Sequence, residues 1–215
     1  MTTTNEAATL AAIDLACVRG DRSLFHGLSF ALVRGTLLKV EGPNGVGKTS
    51  LLRILAGLAR PEEGEVRWNG KAIGGCPDFA ADRRYLGHHN GHGLALTVRE
   101  NLRVAAALQG TPCAGASLEQ AMETVGLAHA GDSPVARLSS GQRRRLALAR
   151  LILGAAGVWI LDEPLNALDR AGQVLFGGLL RDHLLGRGVA VISTHQTLTL
   201  PAGIRQQTLT LAVSS

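Results

Sequence analysis

"GPNGVGKT", residues 42–49, matches the pattern G-x-x-x-x-G-K-[ST] of a phosphate-binding loop. Before it, "GTLLKVEG" (35–42) predicts a buried strand that ends in glycine. After it, "KTSLLRILAGL" (48–58) carries leucine and isoleucine at helical spacing. Gly45 and Gly47 let the backbone turn so that successive N–H groups face inward. A strand that runs through such a loop into a helix predicts an α/β nucleotide-binding core.

Each position of this loop has a predicted role in holding phosphate. Lys48 places an ammonium group against the β- and γ-phosphates, and the helix N-terminus adds its dipole. Thr49 supplies a hydroxyl to Mg²⁺, and Ser50 lies close to the phosphates. The predicted nucleotide-binding residues are therefore Gly42, Pro43, Asn44, Gly45, Val46, Gly47, Lys48, Thr49 and Ser50.

A second motif places two carboxylates at the end of an apolar strand. In "VWILDEP" (158–164), Asp162 and Glu163 follow four apolar residues, and ligands of α/β sheets bind at the carboxyl ends of strands. We expect Asp162 to hold Mg²⁺ through a water molecule. Glu163, one residue further, is placed to act as general base on an attacking water. The pair therefore indicates an enzyme and not only a nucleotide-binding protein.

The remaining pattern predicts one α/β domain over residues 1–215. Strands are expected at 10–18 and 27–33, joined by a turn, and at 63–70. Further strands at 158–162 and 189–194 are so apolar that they are expected to be buried on both faces of a parallel sheet. Helical patterns at 97–110 and 117–127 fall in the middle of the chain, and "LILGAAGVWIL" (151–161) is interpreted as a helix end running into a strand. The predicted fold is a mainly parallel sheet with an N-terminal antiparallel patch and an inserted helical subdomain at about 85–145.

Composition narrows the classes of function. The net charge is +5, but the basic residues are scattered apart from "RRR" (143–145), and aromatic residues make up only 3%. This argues against nucleic acid as a partner, because single-strand binding uses aromatic stacking. No apolar stretch approaches the length of a membrane span, and the N-terminus lacks the pattern of a secretory signal. Three widely spaced cysteines, Cys17, Cys76 and Cys113, fit neither a disulfide framework nor a zinc site, so a cytosolic location is expected.

The segment "YLGHHNGHG" (85–93) carries His88, His89 and His92 within five positions. Histidine is the commonest metal ligand and titrates near neutral pH, so the segment could be a metal or haem site or a pH switch. The three glycines and Asn90 equally favour a solvated loop. These nine residues alone leave the alternatives open.

"LSSGQRRRLALARLIL" (138–153) resembles the signature segment of ABC-type ATPases, and the resemblance extends over essentially the whole chain. It implies that ATP is bound between two subunits arranged head to tail. The signature residues would then reach the γ-phosphate held by the partner, and Asp169 in "LNALD" would lie at the dimer seam. His195 in "ISTHQ" would contact the γ-phosphate and orient Glu163 and the water. The signature residues are Leu138, Ser139, Ser140, Gly141 and Gln142.

Two positions depart from the family pattern. A glutamine commonly lies eight residues before "LTVxEN", where this chain has His88, or His89 in a register shifted by one. Mg²⁺ prefers oxygen ligands, so we interpret 85–93 as a coupling loop that docks a membrane partner and not as a metal site. The other departure is Arg19, which stands where relatives stack adenine on an aromatic ring; a guanidinium plane can also stack on a base.

Within the family, "CVRGDRSLFHGLSF", "YLGH", "WILDEPLNALD" and "STHQTL" look closely similar to the haem-exporter ATP-binding subunits of cytochrome c maturation. That resemblance implies an ATPase that uses ATP and Mg²⁺ and lies peripherally on the cytoplasmic face of the inner membrane. Its implied partners are CcmB- and CcmC-like membrane subunits of a haem-handling complex, and its task is to drive release of a haem-loaded chaperone. The alternatives are the ATPase subunit of another small ABC exporter and a soluble iron–sulfur assembly ATPase.

Overall fold

A five-stranded parallel sheet forms the centre of the protein. The computed structural model describes residues 9–110, 115–198, 200 and 203–212. The spatial order of the strands is β6 (Arg83–Leu86), β7 (Val158–Asp162), β8 (Val189–Ser193), β3 (Thr36–Glu41) and β9 (Arg205–Thr210). Because β7, β8 and β3 are parallel neighbours, the segments that follow them meet at one edge of the sheet.

A smaller antiparallel sheet contains the N-terminal strands. Its order is β2 (Arg22–Leu32), β1 (Leu10–Arg19), β4 (Glu63–Trp68) and β5 (Lys71–Ala72). The predicted antiparallel patch is thus confirmed.

The helices fall into two groups along the chain. Those packed with the strands are α1 (Lys48–Leu55), α2 (Pro77–Asp82) and α6 (Arg170–Leu185). Three others, α3 (Val98–Leu108), α4 (Gly115–Thr124) and α5 (Ser140–Ala149), occur in the chain after β6 and before β7, although these two strands are neighbours in the sheet. Two short 3₁₀ turns, Ala128–Ala130 and Val135–Arg137, lead into α5.

Two apolar clusters cover the faces of the parallel sheet. On β7, Trp159 and Leu161 join the cluster made by α3 to α6, whereas Val158 and Ile160 join the one made by α1 and the antiparallel sheet. Residues of β8 alternate in the same way. Every residue of both strands is buried, which is why the sequence shows continuous apolar runs and not an alternation.

Several element bounds differ from the sequence predictions. The β1–β2 turn is only Gly20 and Asp21, with Gly20 at φ +61°, so β2 begins at 22 and not at 27. Helix α1 ends at 55 and not at 58, where Gly57 takes φ +66°.

Three further features were not predicted correctly. Residues 151–153 are not helical: α5 ends at 149, and the chain turns through Gly154 at φ +72° before β7. Strand β9 was missed because its sequence, "RQQTLT", is polar and it lies at the sheet edge. Strand β6 was missed because it has only four residues.

Two further expectations concern the cysteines and membrane-spanning helices. Cys17 and Cys76 are free thiols, and Cys113 lies outside the described residues. Within the described ranges, none of the helices combines the length and apolarity needed to cross a membrane.

Candidate nucleotide-binding and hydrolytic site

A cavity of about 600 Å³ lies where the segments after β3, β7 and β8 meet. The structure brings most of the predicted site residues to this cavity, although they come from five separate segments of the chain. Its lining includes Arg19, Asn44, Gly45, Gly47, Lys48, Thr49, Ser50, His88, Asp162, Glu163 and His195. Of the predicted loop residues, Gly42, Pro43 and Val46 are absent from this lining, and Val46 is instead buried in the core.

The backbone of the phosphate loop requires glycine. Gly42 has φ +142°, and a Cβ there would lie 2.5 Å from the carbonyl oxygen of Leu211. Gly47 has φ +112° and forms the N-cap of α1 without a side-chain hydrogen bond. No acidic residue occupies the first turn of that helix. The N–H groups of the turn are therefore free of side-chain caps and favour binding of an anion.

Lys48 brings a buried cation to the phosphate loop. Its Nζ donates hydrogen bonds to the carbonyl oxygens of Gly42 at 2.6 Å and Pro43 at 3.1 Å. The same Nζ lies 3.2 Å from Nε2 of His195. The lysine is 9% exposed, so its charge acts with little screening by water.

Asp162 lies at the bottom of the cavity and accepts two hydroxyl hydrogen bonds. Thr49 Oγ1 donates to Oδ2 at 2.7 Å, and Ser193 Oγ donates to Oδ1 at 2.6 Å. Asp162 is 3% exposed. A buried carboxylate beside a threonine hydroxyl is an oxygen donor set of the kind that Mg²⁺ prefers.

Glu163 is held in an unusual backbone conformation beside these groups. Its φ is +48°, and its N–H is directed at the carbonyl oxygen and hydroxyl of Ser193, 3.0 and 3.1 Å away. Its carboxylate lies 3.6 Å from Nε2 of His195. A carboxylate beside a histidine at a phosphate site can accept a proton from a water molecule that lies within hydrogen-bond reach of the carboxylate.

The signature segment lies outside this cavity. Ser139 is the N-cap of α5: its hydroxyl accepts from the N–H of Gln142 at 3.1 Å, and its own N–H donates to Gln142 Oε1 at 2.9 Å. Together with Gly141, Gln142 and Asp169 it lines a separate cavity of about 420 Å³. Leu138 is buried and Ser140 is exposed. Within one chain, the signature residues are therefore not brought to Lys48.

Asp169 caps the next helix and is linked to the signature helix. Its carboxylate accepts from Arg145 Nη2 at 2.8 Å and from the N–H of Gly172 at 2.8 Å. The hydrogen bond from Arg145, followed by that from Gly172, holds the pKa of Asp169 below its usual value.

The three clustered histidines face different surroundings. His88 lines the nucleotide cavity, and its ring lies edge-on to His89, with centroids 5.4 Å apart. His92 Nε2 instead lies 2.9 Å from the carbonyl oxygen of Arg143 on α5, and burial lowers the pKa of His92. Across residues 9–110, 115–198, 200 and 203–212, no group of three or more His, Cys, Asp or Glu side chains is arranged to hold a metal ion.

Several residues of the site were missed from the sequence. Ser193 lies in the quoted "ISTHQ" but was not singled out, and it contacts both Asp162 and Glu163. Arg144 belongs to "RRR", which was interpreted only as a cluster of charge, yet it is 3% exposed and bonds the end of β7. Four others line the cavity: Arg22, Leu24, Asn166 and Gln196. Asn166 and Gln196 lie within the quoted "LNALD" and "ISTHQ". No pattern singles out any of the four, because their approach to the cavity depends on how the segments pack.

Comparisons with known proteins identify the family of this chain. A family model described as ABC transporter matches residues 25–166. The chain is 47% identical, over 94% of its length and 98% of the other protein, to the cytochrome c biogenesis ATP-binding export protein CcmA of Nitrosospira multiformis. It is 49% identical to the protein of that name from Dechloromonas aromatica, over 90% and 96% of the two chains.

Solved structures with the same fold include ATP-binding subunits. A putative ABC transporter ATP-binding protein from Pyrococcus furiosus superposes with a TM-score of 0.79 at 25% identity, over 93% of this chain and 96% of the other. An ATP-binding cassette solved as a dimer with ADP and phosphate superposes with a TM-score of 0.78 at 19% identity, over 87% and 88%. The second comparison supports the fold alone.

Proposed function

The chain belongs to the ABC transporter family of ATP-binding proteins, and from this premise we propose that it is the ATP-hydrolysing subunit of an exporter complex in cytochrome c biogenesis. The observation that carries the ATPase assignment is the convergence of Lys48, Asp162, Glu163 and His195 on one cavity. The role in cytochrome c biogenesis is supported by relatives of that name at 47% and 49% identity along most of the chain. In this role the energy of ATP hydrolysis drives a conformational change in membrane subunits, for haem export or release of a haem-loaded chaperone.

ATP binds with its phosphates against the loop at residues 42–49. Lys48 exchanges its bonds to the Gly42 and Pro43 carbonyl oxygens for bonds to β- and γ-phosphate oxygens. The uncapped N–H groups at the start of α1 take further phosphate oxygens. Arg19 lies at the edge of the cavity, at the end of β1, where its guanidinium plane can stack on the base.

Hydrolysis requires a base near the γ-phosphate. Glu163 accepts a proton from the attacking water, and the water oxygen bonds to the γ-phosphorus as the bond to ADP breaks. His195 lies between Lys48 and Glu163, at 3.2 and 3.6 Å, and so can orient both the phosphate and the base. The products are ADP and phosphate.

The residues also fit a magnesium ion. Thr49 and Asp162, whose oxygens are 2.7 Å apart, would hold it, and Ser193 orients the Asp162 carboxylate. When bound, Mg²⁺ supplies positive charge that neutralises the β- and γ-phosphates. The chain's own hydroxyl and carboxylate groups then fix where that charge lies.

The signature segment acts on the ATP of a second subunit. Ser139 and Gly141 line a cavity separate from the one that contains Lys48. They therefore do not contact the nucleotide that would bind to Lys48 of the same chain. A head-to-tail dimer would give each ATP a phosphate loop from one subunit and a signature from the other, with Asp169 at the seam. The helices between β6 and β7, at about 85–145, form the subdomain that carries this signature.

We assign residues 85–93 to coupling with the membrane subunits. His88 lies on the nucleotide cavity while His92 is fixed to α5, so the loop contacts the site and the signature helix at once. The partners are CcmB- and CcmC-like membrane subunits, and the chain lies peripherally on the cytoplasmic face of the inner membrane.

The experiment replaces the chain by its Glu163→Gln variant in cells that make c-type cytochromes. We expect the variant to bind ATP and to co-purify with its membrane subunits while covalent haem attachment to cytochrome c is lost. Lys71→Ala, an exposed change on β5, is the control and should leave haem attachment intact. Normal haem attachment in cells lacking the chain, or co-purification with a different exporter, would contradict the proposal.

A further inference from the structure

Arg144 is a buried arginine whose guanidinium connects its own helix to two other segments of the site, residues 162–164 and 87–90. It lies on α5, is 3% exposed, and no carboxylate among the described residues forms an ion pair with it. Its five hydrogen bonds go to neutral oxygens. The acceptors are the carbonyl oxygens of Pro164 (3.0 Å), Asp162 (3.2 Å), Glu163 (2.5 Å) and Gly87 (3.4 Å) and the side-chain oxygen of Asn90 (2.8 Å).

Three of these bonds fix the backbone that carries Glu163. The residue adopts φ +48°, a conformation that L-residues rarely occupy and that surrounding contacts must hold. Ser193 accepts its N–H and Arg144 binds its carbonyl oxygen, so both sides of this residue are held. The direction of the Glu163 carboxylate follows from this backbone conformation.

The other two bonds reach the histidine loop. Asn90 accepts from Arg144 through its side chain and from Arg150 Nη1, at 2.7 Å, through its carbonyl oxygen. His92 Nε2 lies 2.9 Å from the Arg143 carbonyl oxygen. The loop at 87–93 is therefore bonded to Arg143 and Arg144 of α5. Arg144 also bonds Asp162, the last residue of β7.

We infer that Arg144 is a positioning residue for ATP hydrolysis, which holds Glu163 in its left-handed conformation and links it to the loop at 87–93. A membrane subunit that displaces this loop thereby changes the direction of the Glu163 carboxylate. This inference rests on the proposed function, because it takes Glu163 as the base.

The test uses the full-length chain in single-turnover ATP hydrolysis, with protein in excess over ATP. We expect Arg144→Gln to slow hydrolysis by about 10²-fold, the cost of an ångström-scale misplacement of a reacting group, while the Kd for ATP stays close to that of wild type. Arg144→Lys keeps the charge, and its rate of hydrolysis should lie between those of wild type and Arg144→Gln. Arg60→Gln, an exposed arginine, is the matched control and should hydrolyse ATP at the wild-type rate.

A double variant separates positioning from a general loss of structure. If Arg144 acts through Glu163, Arg144→Gln should cause little further loss in the Glu163→Gln background. Slowing of the Glu163→Gln rate by the same factor would overturn the inference, as would wild-type rates in both Arg144 variants. If Glu163→Gln itself hydrolyses ATP at the wild-type rate, Glu163 is not the base and the proposed function fails. That result is distinct from a failure of the inference about Arg144.

The link to the loop has its own variant. Asn90→Ala removes the shorter, 2.8 Å bond from Arg144 to the loop and leaves the 3.4 Å bond to the Gly87 carbonyl oxygen. Basal hydrolysis should stay near wild type. In complex with the membrane subunits, the variant should lower the stimulation of hydrolysis. Full stimulation in this variant would overturn the transmission from the loop to Glu163.

Discussion

At the scale of single residues, Lys48 should decide nucleotide affinity. Charge-assisted hydrogen bonds contribute roughly 1.5–3 kcal/mol each, and about 1.4 kcal/mol is a tenfold change in affinity. Lys48→Ala should therefore lower ATP affinity at least about tenfold, measured by equilibrium titration with a fluorescent ATP analogue. Lys71→Ala should bind like wild type. Unchanged affinity in Lys48→Ala would exclude the phosphate-loop assignment.

A second residue, His183, should make stability depend on pH. Its ring stacks on Trp159 with centroids 4.1 Å apart, and Nε2 lies 3.0 Å from the Val189 carbonyl oxygen. Burial lowers the pKa of His183, opposed by the smaller effects of that hydrogen bond and of Asp82. Below about pH 6.5 the unfolded chain binds a proton at this histidine that the folded chain does not. The free energy of unfolding therefore decreases as the pH is lowered, until the pH is below the lowered pKa of the folded protein.

His183→Phe keeps an aromatic ring on Trp159 and removes this titration. We expect it to lose less stability than wild type between about pH 7.5 and pH 5.5, measured by urea unfolding at each pH. His92, whose pKa burial also lowers, contributes in the same direction and remains in both proteins. Equal losses in wild type and variant would show that His183 is not the titrating group.

At the scale of elements, the N-caps of α3 and α5 offer a matched pair. Thr97 and Ser139 each form a capping box, with Glu100 and Gln142 respectively. Alanine at either cap should cost about 1 kcal/mol of unfolding free energy, measured by urea denaturation. Only Ser139→Ala should also weaken ATP-dependent dimerisation, because the proposed function gives Ser139 a second role at the partner's nucleotide. Equal dimerisation in the two variants would remove that role.

At the scale of the whole molecule, ATP should join two copies of the chain. We expect Glu163→Gln to slow hydrolysis by about 10²–10⁴-fold, the usual contribution of a positioned base, and so to accumulate a dimer with two bound nucleotides. Size-exclusion chromatography with ATP measures the dimer. Adding Ser139→Arg should return it to monomer without changing ATP affinity, since the signature is remote from Lys48 in the same chain. A dimer that persists in the double variant would contradict the head-to-tail arrangement.

Local patterns in the sequence were enough to predict several parts of the protein. The phosphate loop carries glycine at fixed positions, the two carboxylates come directly after four apolar residues, and the signature lies at the start of a helix. Parallel strands buried on both faces were visible as continuous apolar runs. Each of these features leaves a pattern within about ten consecutive residues, so neighbouring residues suffice to predict it, although distant residues such as Leu211 beside Gly42 also contribute in the folded protein.

Other roles depend on packing between distant segments and became visible in the folded protein alone. Arg144 looked like one member of a charged run, but burial makes its guanidinium bond Glu163 and Asn90. His88 and His92 are four positions apart, yet one lines the nucleotide cavity and the other is fixed to α5. Burial and hydrogen-bond partners arise from the arrangement of strands and helices far apart in the chain, and the physical roles of these side chains follow from those surroundings.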